Sequence, residues 1–448
     1  MKNRPCVVCL LCLAAVLTPL TARAGSQDAP AGGGLSLGEA VDLVLQRSPL
    51  SQVAEAGLAA AEHGRRSARG EFLPKLKTQM AYTLLDKAPQ GEIPSLVPGG
   101  AATGFPAGED KTLSSKTTLE QPVFTGLALL SRYRLADLER QEAEVTRLDT
   151  TQGLILETHE AYYGVLVAEK VLGVADQAVA QLEAHAEVAR QFFANGMIPK
   201  NDLLKTLVSM ADIKRKRIEA AHSMDLARSR FRILLRLEDD EAPLRLTEEL
   251  AWSPYERSLE ECIVLALGHH PGILLTQLAA DKAERAVTLA RSGFFPRVAL
   301  VGALDHEEGG FVETEHQLSA TIHADWTVWE WGSNYYKVQQ NRSALLMARA
   351  RNTQQVDAVK LQVRAAYLGL KEWQESIEVA RASIEQAEEN YRITVEQYNA
   401  NVTTSTEVLD AQTLQAQAKV NYYTALSNYN VALARLQKAM GVLQKPGT

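Results

Sequence analysis

The sequence has few cysteines and places most of them at one end. Three of the four, Cys6, Cys9 and Cys12, lie within residues 1–24, which leaves Cys262 as the last one. Residues 1–24 have the pattern of a secretory signal peptide, because basic residues precede a short apolar core and a small-residue cleavage site follows. We therefore expect an exported mature chain in which no internal disulfide forms.

Long apolar runs are also missing. After the predicted signal peptide no run approaches the roughly 18 residues of a transmembrane helix, so helical membrane spans are not expected. The signal segment carries three basic residues and no acidic one, so the formal charge of the mature chain is 47 − 3 − 54 = −10. An acidic exported chain is a poor nucleic-acid binder, and nucleic acid is not an expected partner.

Motifs for catalysis or metal binding are absent from the sequence. It contains no P-loop, zinc motif or nucleophile elbow. The nine histidines form no ligand-spaced cluster, and the adjacent pair His269-His270 lacks a third ligand nearby. We predict that the chain is not an enzyme and that it needs no metal or other cofactor.

What the sequence does contain is an internal repeat. The stretch GEFLPK at 70–75 returns as SGFFPR at 292–297, so that Pro74 and Pro296 coincide after a shift of 296 − 74 = 222 residues. Later in each half the shift is 398 − 193 = 205 residues, and the missing residues fall in one loop. Insertions concentrate at exposed loop tips, so the halves are duplicates. They form a first repeat at 25–236, a linker at 237–257 and a second repeat at 258–443.

Two segments of each half alternate apolar and polar residues. The clearest runs from Leu318 to Val328, where every second residue is apolar. A period of two over about ten residues predicts strands with one apolar and one polar face, and this length suits a tilted membrane β-strand. The predicted hairpins, each preceded by a helix, span 74–124 and 296–329.

After the strands the apolar period becomes helical. No proline interrupts residues 127–194 or 333–400, and apolar residues, many of them alanine, recur at 4-3 spacing. At about 1.5 Å per residue each helix would be roughly 100 Å long, and the sustained heptad predicts close-packed, left-handed coiled helices. Each ends at a turn, at Gly196 or Asn401, since these residues tolerate the left-handed conformation that the turn requires. Return helices are predicted at 202–236 and 406–440.

The number of strands bears on the oligomeric state. Four strands with apolar outer faces cannot close a barrel, and an open sheet edge cannot lie in hydrocarbon. Three chains would supply twelve strands, an even number within the range of bacterial barrels. The predicted fold class is therefore mainly α with membrane β: a duplicated chain whose long helices form a coiled-coil α-helical barrel, and whose homotrimer forms a 12-stranded β-barrel from four strands per chain. The lumen of that barrel would be lined by Lys75, Lys77, Lys116, His323 and Asp325.

Several motifs, taken together and in order, resemble the TolC family of trimeric outer-membrane channel-tunnels. They are the duplicated F-L/F-P before a strand, QPVFTG at 121–126 before a long helix, and the two helix tips at 191–204 and 397–412. Each motif is weak alone, but the resemblance covers roughly residues 35–441.

The resemblance implies a barrel in the outer membrane of a Gram-negative cell, in contact with lipid and continued by a periplasmic helical tunnel. A periplasmic adaptor (a membrane fusion protein) would dock on the helix tips, and an inner-membrane pump of the RND or ABC type would drive substrate into the conduit. The chain would then be the passive exit duct of a tripartite efflux or secretion system. A periplasmic coiled-coil adaptor or scaffold is the alternative, although the amphipathic strand pattern at 317–328 favours the channel.

The resemblance also implies a gate at the periplasmic tips. Asp202 and Tyr398 would pair across neighbouring helices, and Glu407 and Asp410 would form acidic rings in the entrance, where threefold symmetry concentrates like charges. The alternatives are a helix-cap aspartate, an ordinary packed tyrosine, and first-turn acids that the helix dipole favours. One departure from the family pattern is Thr403, where some members carry an arginine that could act as a latch.

Two further groups of residues are predicted to form surfaces. Apolar side chains at exposed turns are costly unless a partner covers them, so the helix tips are expected to dock the adaptor. Aromatic residues at the junction between strand and helix are expected to form an interfacial belt, with core packing as the alternative. The docking residues are Asn195, Gly196, Met197, Ile198, Asn401, Val402 and Thr403, and the belt residues are Phe124, Trp326, Trp329 and Trp331.

Overall fold

The computed structural model describes residues 34–93, 102–237, 245–309 and 314–446. The predicted signal peptide at 1–24 lies outside the described residues, as does part of the linker predicted at 237–257. The first half contains helices α1 (Leu37–Arg47) and α2 (Pro49–Gly70), strands β1 (Lys75–Leu84), β2 (Gln90–Ile93), β3 (Thr103–Pro106) and β4 (Lys111–Phe124), and helices α3 (Ala128–Ala194) and α4 (Lys200–Leu235). The second half contains α5 (Leu259–His269), α6 (Pro271–Arg291), β5 (Arg297–Glu308), β6 (Thr314–Asp325), α7 (Ser333–Asn399) and α8 (Ser405–Ala439).

The long helices of the two halves are duplicates. Helices α3 and α7 are each 67 residues long, which corresponds to about 100 Å. They begin 333 − 128 = 205 residues apart, the shift found in the sequence. Helices α4 and α8 return along them, and α8 also packs against α3, which joins the two halves.

Each half opens with two short helices, where the sequence analysis expected one. Ser48 and His270 have extended backbones, with ψ of 127° and 119°, because a residue that precedes proline disfavours the helical conformation. Pro49 and Pro271 then begin the second helix at a position where the missing N–H costs nothing. The first helix of each half begins with a serine–glutamate capping box.

The strands of both halves form one antiparallel sheet in the order β1-β4-β5-β6. Its central pair, β4 and β5, joins the two predicted hairpins side by side. Within the described part of the chain, β1 and β6 each pair on one side only. The small hairpin of β2 and β3, in the longer loop of the first half, does not follow from the alternation of the sequence.

The apolar core lies where the short helices meet the long ones. In the first half Val44, Tyr162 and Phe231 belong to one buried cluster, and Cys262 and Leu370 belong to its counterpart in the second half. This core lies near the middle of α3 and α7, at Tyr162 and Leu370, so the tips pack on one another beyond it.

The length and hydropathy of a helix determine whether it can cross a bilayer. Across the described ranges no single helix is long and apolar enough to cross a membrane, whereas the bent pair Leu259–His269 and Pro271–Phe294 passes by length and composition.

Candidate functional site

One face of the sheet is apolar and exposed. Leu318 is 83% exposed and Ile322 is 75% exposed, and the strand register places their neighbours on the same face. An apolar patch of this kind is not left in water without a function. The exposed members of this apolar sheet face are Leu76, Met80, Tyr82, Leu84, Leu113, Leu119, Leu300, Leu304, Leu318 and Ile322.

The opposite face of the sheet is polar. The register aligns Lys75 with Glu120 across the first strand pair, and the Lys116 ammonium lies 3.3 Å from the Asp305 carboxylate. At the other edge His323 contacts the Asp325 carboxylate at 2.8 Å. The structure therefore brings together on one face the five residues predicted to line the lumen, Lys75, Lys77, Lys116, His323 and Asp325.

The predicted aromatic belt lies at the helical end of the sheet and is exposed. Trp331 is 88% exposed and has a left-handed backbone with φ of 50°, which is strained for a large side chain. The Trp329 and Trp331 ring centroids are 5.9 Å apart, and Trp326 donates its indole N–H to the Phe294 carbonyl at 3.2 Å. Phe124 lies edge-on to a neighbouring phenylalanine and is also exposed. Core packing, the alternative reading of these residues, does not describe their surroundings in the protomer.

The two helix tips have the same backbone geometry. Gly196 and Asn401 both adopt the left-handed conformation, with φ of 72° and 60°, as the sequence predicts. The next residue, Met197 or Val402, donates its N–H to the carbonyl five residues earlier, at 2.8 and 2.9 Å. Val402 is 76% exposed and Met197 is 47% exposed, so both turns present apolar side chains to the surroundings.

The predicted gate residue Tyr398 is buried inside the tip. Its ring is 2% exposed, stacks on Phe192 at a centroid distance of 5.5 Å and lies 4.6 Å from the His185 ring. Its hydroxyl has no hydrogen-bond partner among the described residues, so the bond to Asp202 that the resemblance implies is not formed in the protomer. Burial raises the pKa of Tyr398, and the nearby charge of Asp202 raises it further. The adjacent Ser405 hydroxyl opposes this rise, although its geometry to the Tyr398 hydroxyl is not that of a formed hydrogen bond.

Unlike Tyr398, the two residues that are predicted to form acidic rings are exposed. Glu407 and Asp410 are exposed on α8, three residues apart, which places them on one face of the helix. Neither makes an ion pair with another described residue. Asp410 also borders a groove between α4 and α8, which the exposed side chains of Leu204 and Val208 line.

A buried polar junction connects three helices at the tips, and sequence reasoning did not find it. The Ser405 hydroxyl at the start of α8 lies 2.8 Å from His185 Nε2 on α3 and 2.7 Å from the Thr206 hydroxyl on α4. Thr206 donates to the Asp202 carbonyl at 3.0 Å. All three side chains are buried, and burial lowers the pKa of His185 to about 4. We call His185, Thr206 and Ser405 the tip junction.

Comparison with known proteins agrees with this geometry. A profile of the family described as "Outer membrane efflux protein" matches residues 40–235 and 262–442. The chain is 26% identical over 209 residues to the alkaline protease secretion protein AprF of Pseudomonas aeruginosa, covering 46% of this chain and 43% of that protein. It is 22% identical over 242 residues to the outer membrane protein TolC of Vibrio cholerae, covering 54% and 51% respectively. The aligned chain thus spans about half the length of each of these relatives.

Solved structures share the fold over nearly the whole chain. The CmeC outer membrane channel of Campylobacter jejuni superposes with a TM-score of 0.77 and 16% identity, covering 92% of this chain and 87% of that one. CusC superposes with a TM-score of 0.76 and 13% identity, covering 90% and 92%. Both are named as channels, and at these identities the likeness concerns the fold.

Proposed function

Because the chain belongs to the outer membrane efflux protein family, we propose that it is the exit duct of a tripartite efflux or secretion system. Membership of this family makes it an outer-membrane protein with an efflux role. In the proposed system the duct conducts substrate passively, from a periplasmic adaptor and an inner-membrane pump to the outside of the cell.

The exposed apolar sheet face is the observation that carries the proposal. Side chains such as Leu318 and Met80 are stable in that position only against hydrocarbon or another protein. Among the described residues nothing pairs with the outer edges of β1 and β6, and open edges do not occur in hydrocarbon. Three copies joined edge to edge would close twelve strands with the apolar face towards lipid and the polar face towards water. A periplasmic adaptor would have no use for such a sheet.

The long helices supply the periplasmic part of the duct. At about 100 Å they extend far beyond a membrane, whose hydrocarbon core is about 30 Å thick. In the proposed trimer they continue the barrel as a tunnel, and the turns around Met197 and Val402 dock the adaptor. The groove bordered by Leu204 and Val208 extends this apolar docking surface along α4. An RND or ABC pump fits the far end of such a conduit.

The gate of the duct is proposed at the same tips. Tyr398 holds the packing of the tip with its buried ring, next to Asp202 at the start of α4. Glu407 and Asp410 form rings of carboxylates in the trimer, and these favour cations at the entrance. Of the four gate residues, Glu407 and Asp410 are exposed, Asp202 is half-buried and Tyr398 is buried.

Single-channel recording in planar lipid bilayers tests the proposal. The full-length protein, purified in detergent and added to one side, is expected to insert and to give discrete conductance steps without any nucleotide. Glu407→Gln with Asp410→Asn is expected to lower the preference for cations, whereas Glu396→Gln on the exposed surface of α7 serves as the control. A protein that binds the bilayer but never conducts would refute the duct.

A further inference from the structure

The tip junction combines burial with a histidine that forms a hydrogen bond between helices. His185 is 6% exposed, Ser405 is 1% exposed and Thr206 is fully buried. Ser405 is the first residue of α8, so its hydroxyl fixes the start of that helix to both α3 and α4. No other buried histidine among the described residues connects two halves of the chain through a hydrogen bond at the tips.

In the tip junction the donor and the acceptor of each hydrogen bond can be assigned. Thr206 donates to the Asp202 carbonyl, so its oxygen accepts from the Ser405 hydroxyl, and the Ser405 oxygen in turn accepts from His185 Nε2–H. His185 Nε2 therefore donates in both the neutral and the charged state of the ring. Protonation leaves this bond in place but puts a full charge into an apolar site between Tyr398 and α8. Because the charged ring is desolvated there, protonation destabilises the closed state.

We propose that His185 is a positioning residue of the periplasmic gate, and that its protonation releases α8 from α3 and α4. This rests on the proposed function, and deepens it by naming the contact that holds the entrance shut. The tip junction connects the return helix of the second pair, α8, to both helices of the first pair, α3 and α4. Acidification of the periplasm then favours the open entrance.

The pH window follows from the shift of the histidine. Burial lowers the pKa of His185 to about 4, whereas an exposed histidine titrates near 6.5. Once α8 moves away and water reaches the ring, the imidazole of His185 binds a proton more tightly in the open state than in the closed state. The contribution of His185 to closure is therefore fully present above about pH 6.5 and is lost as the pH falls towards 4, by up to about tenfold per pH unit for each protomer.

Other ionisable groups near the tip must be separated from this effect. Tyr398 faces the ring from α7, Asp202 lies on α4, and Glu407 is exposed two residues beyond Ser405. On α3 itself, Glu183 is ion-paired with a lysine of α4 at 2.8 Å. Free carboxylates titrate mainly near pH 4 and tyrosine near pH 10, but carboxylates gathered in a ring keep their protons to higher pH. The loss of pH dependence in a variant without the His185 imidazole, rather than the wild-type profile alone, therefore assigns the effect to the histidine.

The experiment is the open fraction of single channels between pH 5 and pH 7 for the full chain and two variants. Wild-type channels should open at least several-fold more at pH 5. His185→Gln keeps a donor for Ser405 and cannot titrate, so its profile should be flat. The control is His159→Gln: burial lowers the pKa of His159 to about 4 as well, but this residue lies 26 positions earlier on α3, beside the core. Its profile should match the wild type.

The possible outcomes distinguish a failure of the His185 inference from a failure of the proposed duct function. If His185→Gln channels keep the wild-type pH profile, the inference is wrong and the duct stands. If wild-type protein gives no conductance at any pH, both the duct and the inference fail. Should His185→Gln not assemble, Ser405→Ala replaces it: loss of the junction should raise the open fraction at pH 7 several-fold, and an unchanged open fraction would overturn the proposal.

Discussion

At the scale of single residues, the buried hydroxyl groups of the tips differ in whether they form hydrogen bonds. The hydroxyls of the tip junction are fully paired, whereas the hydroxyl of Tyr398 has no partner among the described residues. A buried hydroxyl without a partner costs about 1–3 kcal/mol relative to a paired one. The ring of Tyr398, rather than its oxygen, is what the protomer uses, because it fills the space between His185 and Phe192.

This difference predicts the behaviour of two variants of one residue. Tyr398→Phe should leave the thermal midpoint of the detergent-solubilised protein unchanged or slightly raised, since no hydrogen bond is lost. Tyr398→Ala should lower the stability of the tip by about 3–5 kcal/mol, because it removes a buried ring. Differential scanning calorimetry gives the midpoints, and hydrogen exchange in the tip peptides locates the change. A midpoint for Tyr398→Phe well below the wild type would mean that the hydroxyl is bonded in the assembled protein.

At the scale of elements, two different residues form the same type of turn. The turn that ends α3 uses Gly196 and the turn that ends α7 uses Asn401, and both are left-handed. No described residue lies within 4 Å of the position that a Cβ at Gly196 would take, so a side chain there meets only backbone strain. Asparagine tolerates this conformation better than other residues with a side chain, but glycine adopts it without strain.

Two substitutions with opposite signs test this account of the turns. Gly196→Ala should destabilise its tip by about 1 kcal/mol, and Asn401→Gly should be neutral or stabilise its tip by a few tenths of a kcal/mol. Local unfolding free energies from hydrogen exchange at the two tips provide the measurement. Equal effects of both changes would show that contacts with a partner, rather than backbone strain, decide the stability of the turns.

The sheet is the other element whose two faces can be tested against each other. Leu318→Lys puts a charge on the apolar sheet face and should cost about 2–4 kcal/mol if that position lies near the middle of the bilayer. Ser319→Lys is the matched control, since its side chain lies on the polar face one residue away. The amount of folded protein recovered in outer membranes should fall for the first variant and not for the second. The reverse order would mean that the faces have been assigned the wrong way round.

Sequence patterns predicted the elements better than the contacts between them. The repeat shift, the long helices and the left-handed turns each follow from local sequence patterns that occur in both halves. Each could therefore be predicted from the sequence. The helix break at Ser48 could also have been anticipated, because proline follows that residue. The tip junction could not, since it depends on the relative rotation of three helices, which no periodicity fixes. Likewise, nothing local suggests that Trp331 takes a left-handed backbone where the first half has Gly126.

At the scale of the whole molecule, the predicted fold class is confirmed for the protomer: long coiled helices, a duplicated chain and a four-stranded antiparallel sheet, shared with solved outer-membrane channels. The protomer is nonetheless incomplete by itself. In the part of the chain that the structure describes, its sheet has two open edges and one exposed apolar face, and its tips expose Met197 and Val402. In the proposed trimer, threefold symmetry would satisfy the edges, lipid would cover the apolar sheet face, and an adaptor would cover the tips.

The central claim is that three copies of this chain close one continuous duct. Electron-microscopic class averaging of the full-length, detergent-purified protein tests it most directly. We predict threefold top views and side views with a cylinder longer than about 100 Å, set by the length of α3 and α7. A monomeric rod that remains in solution without detergent would contradict the account.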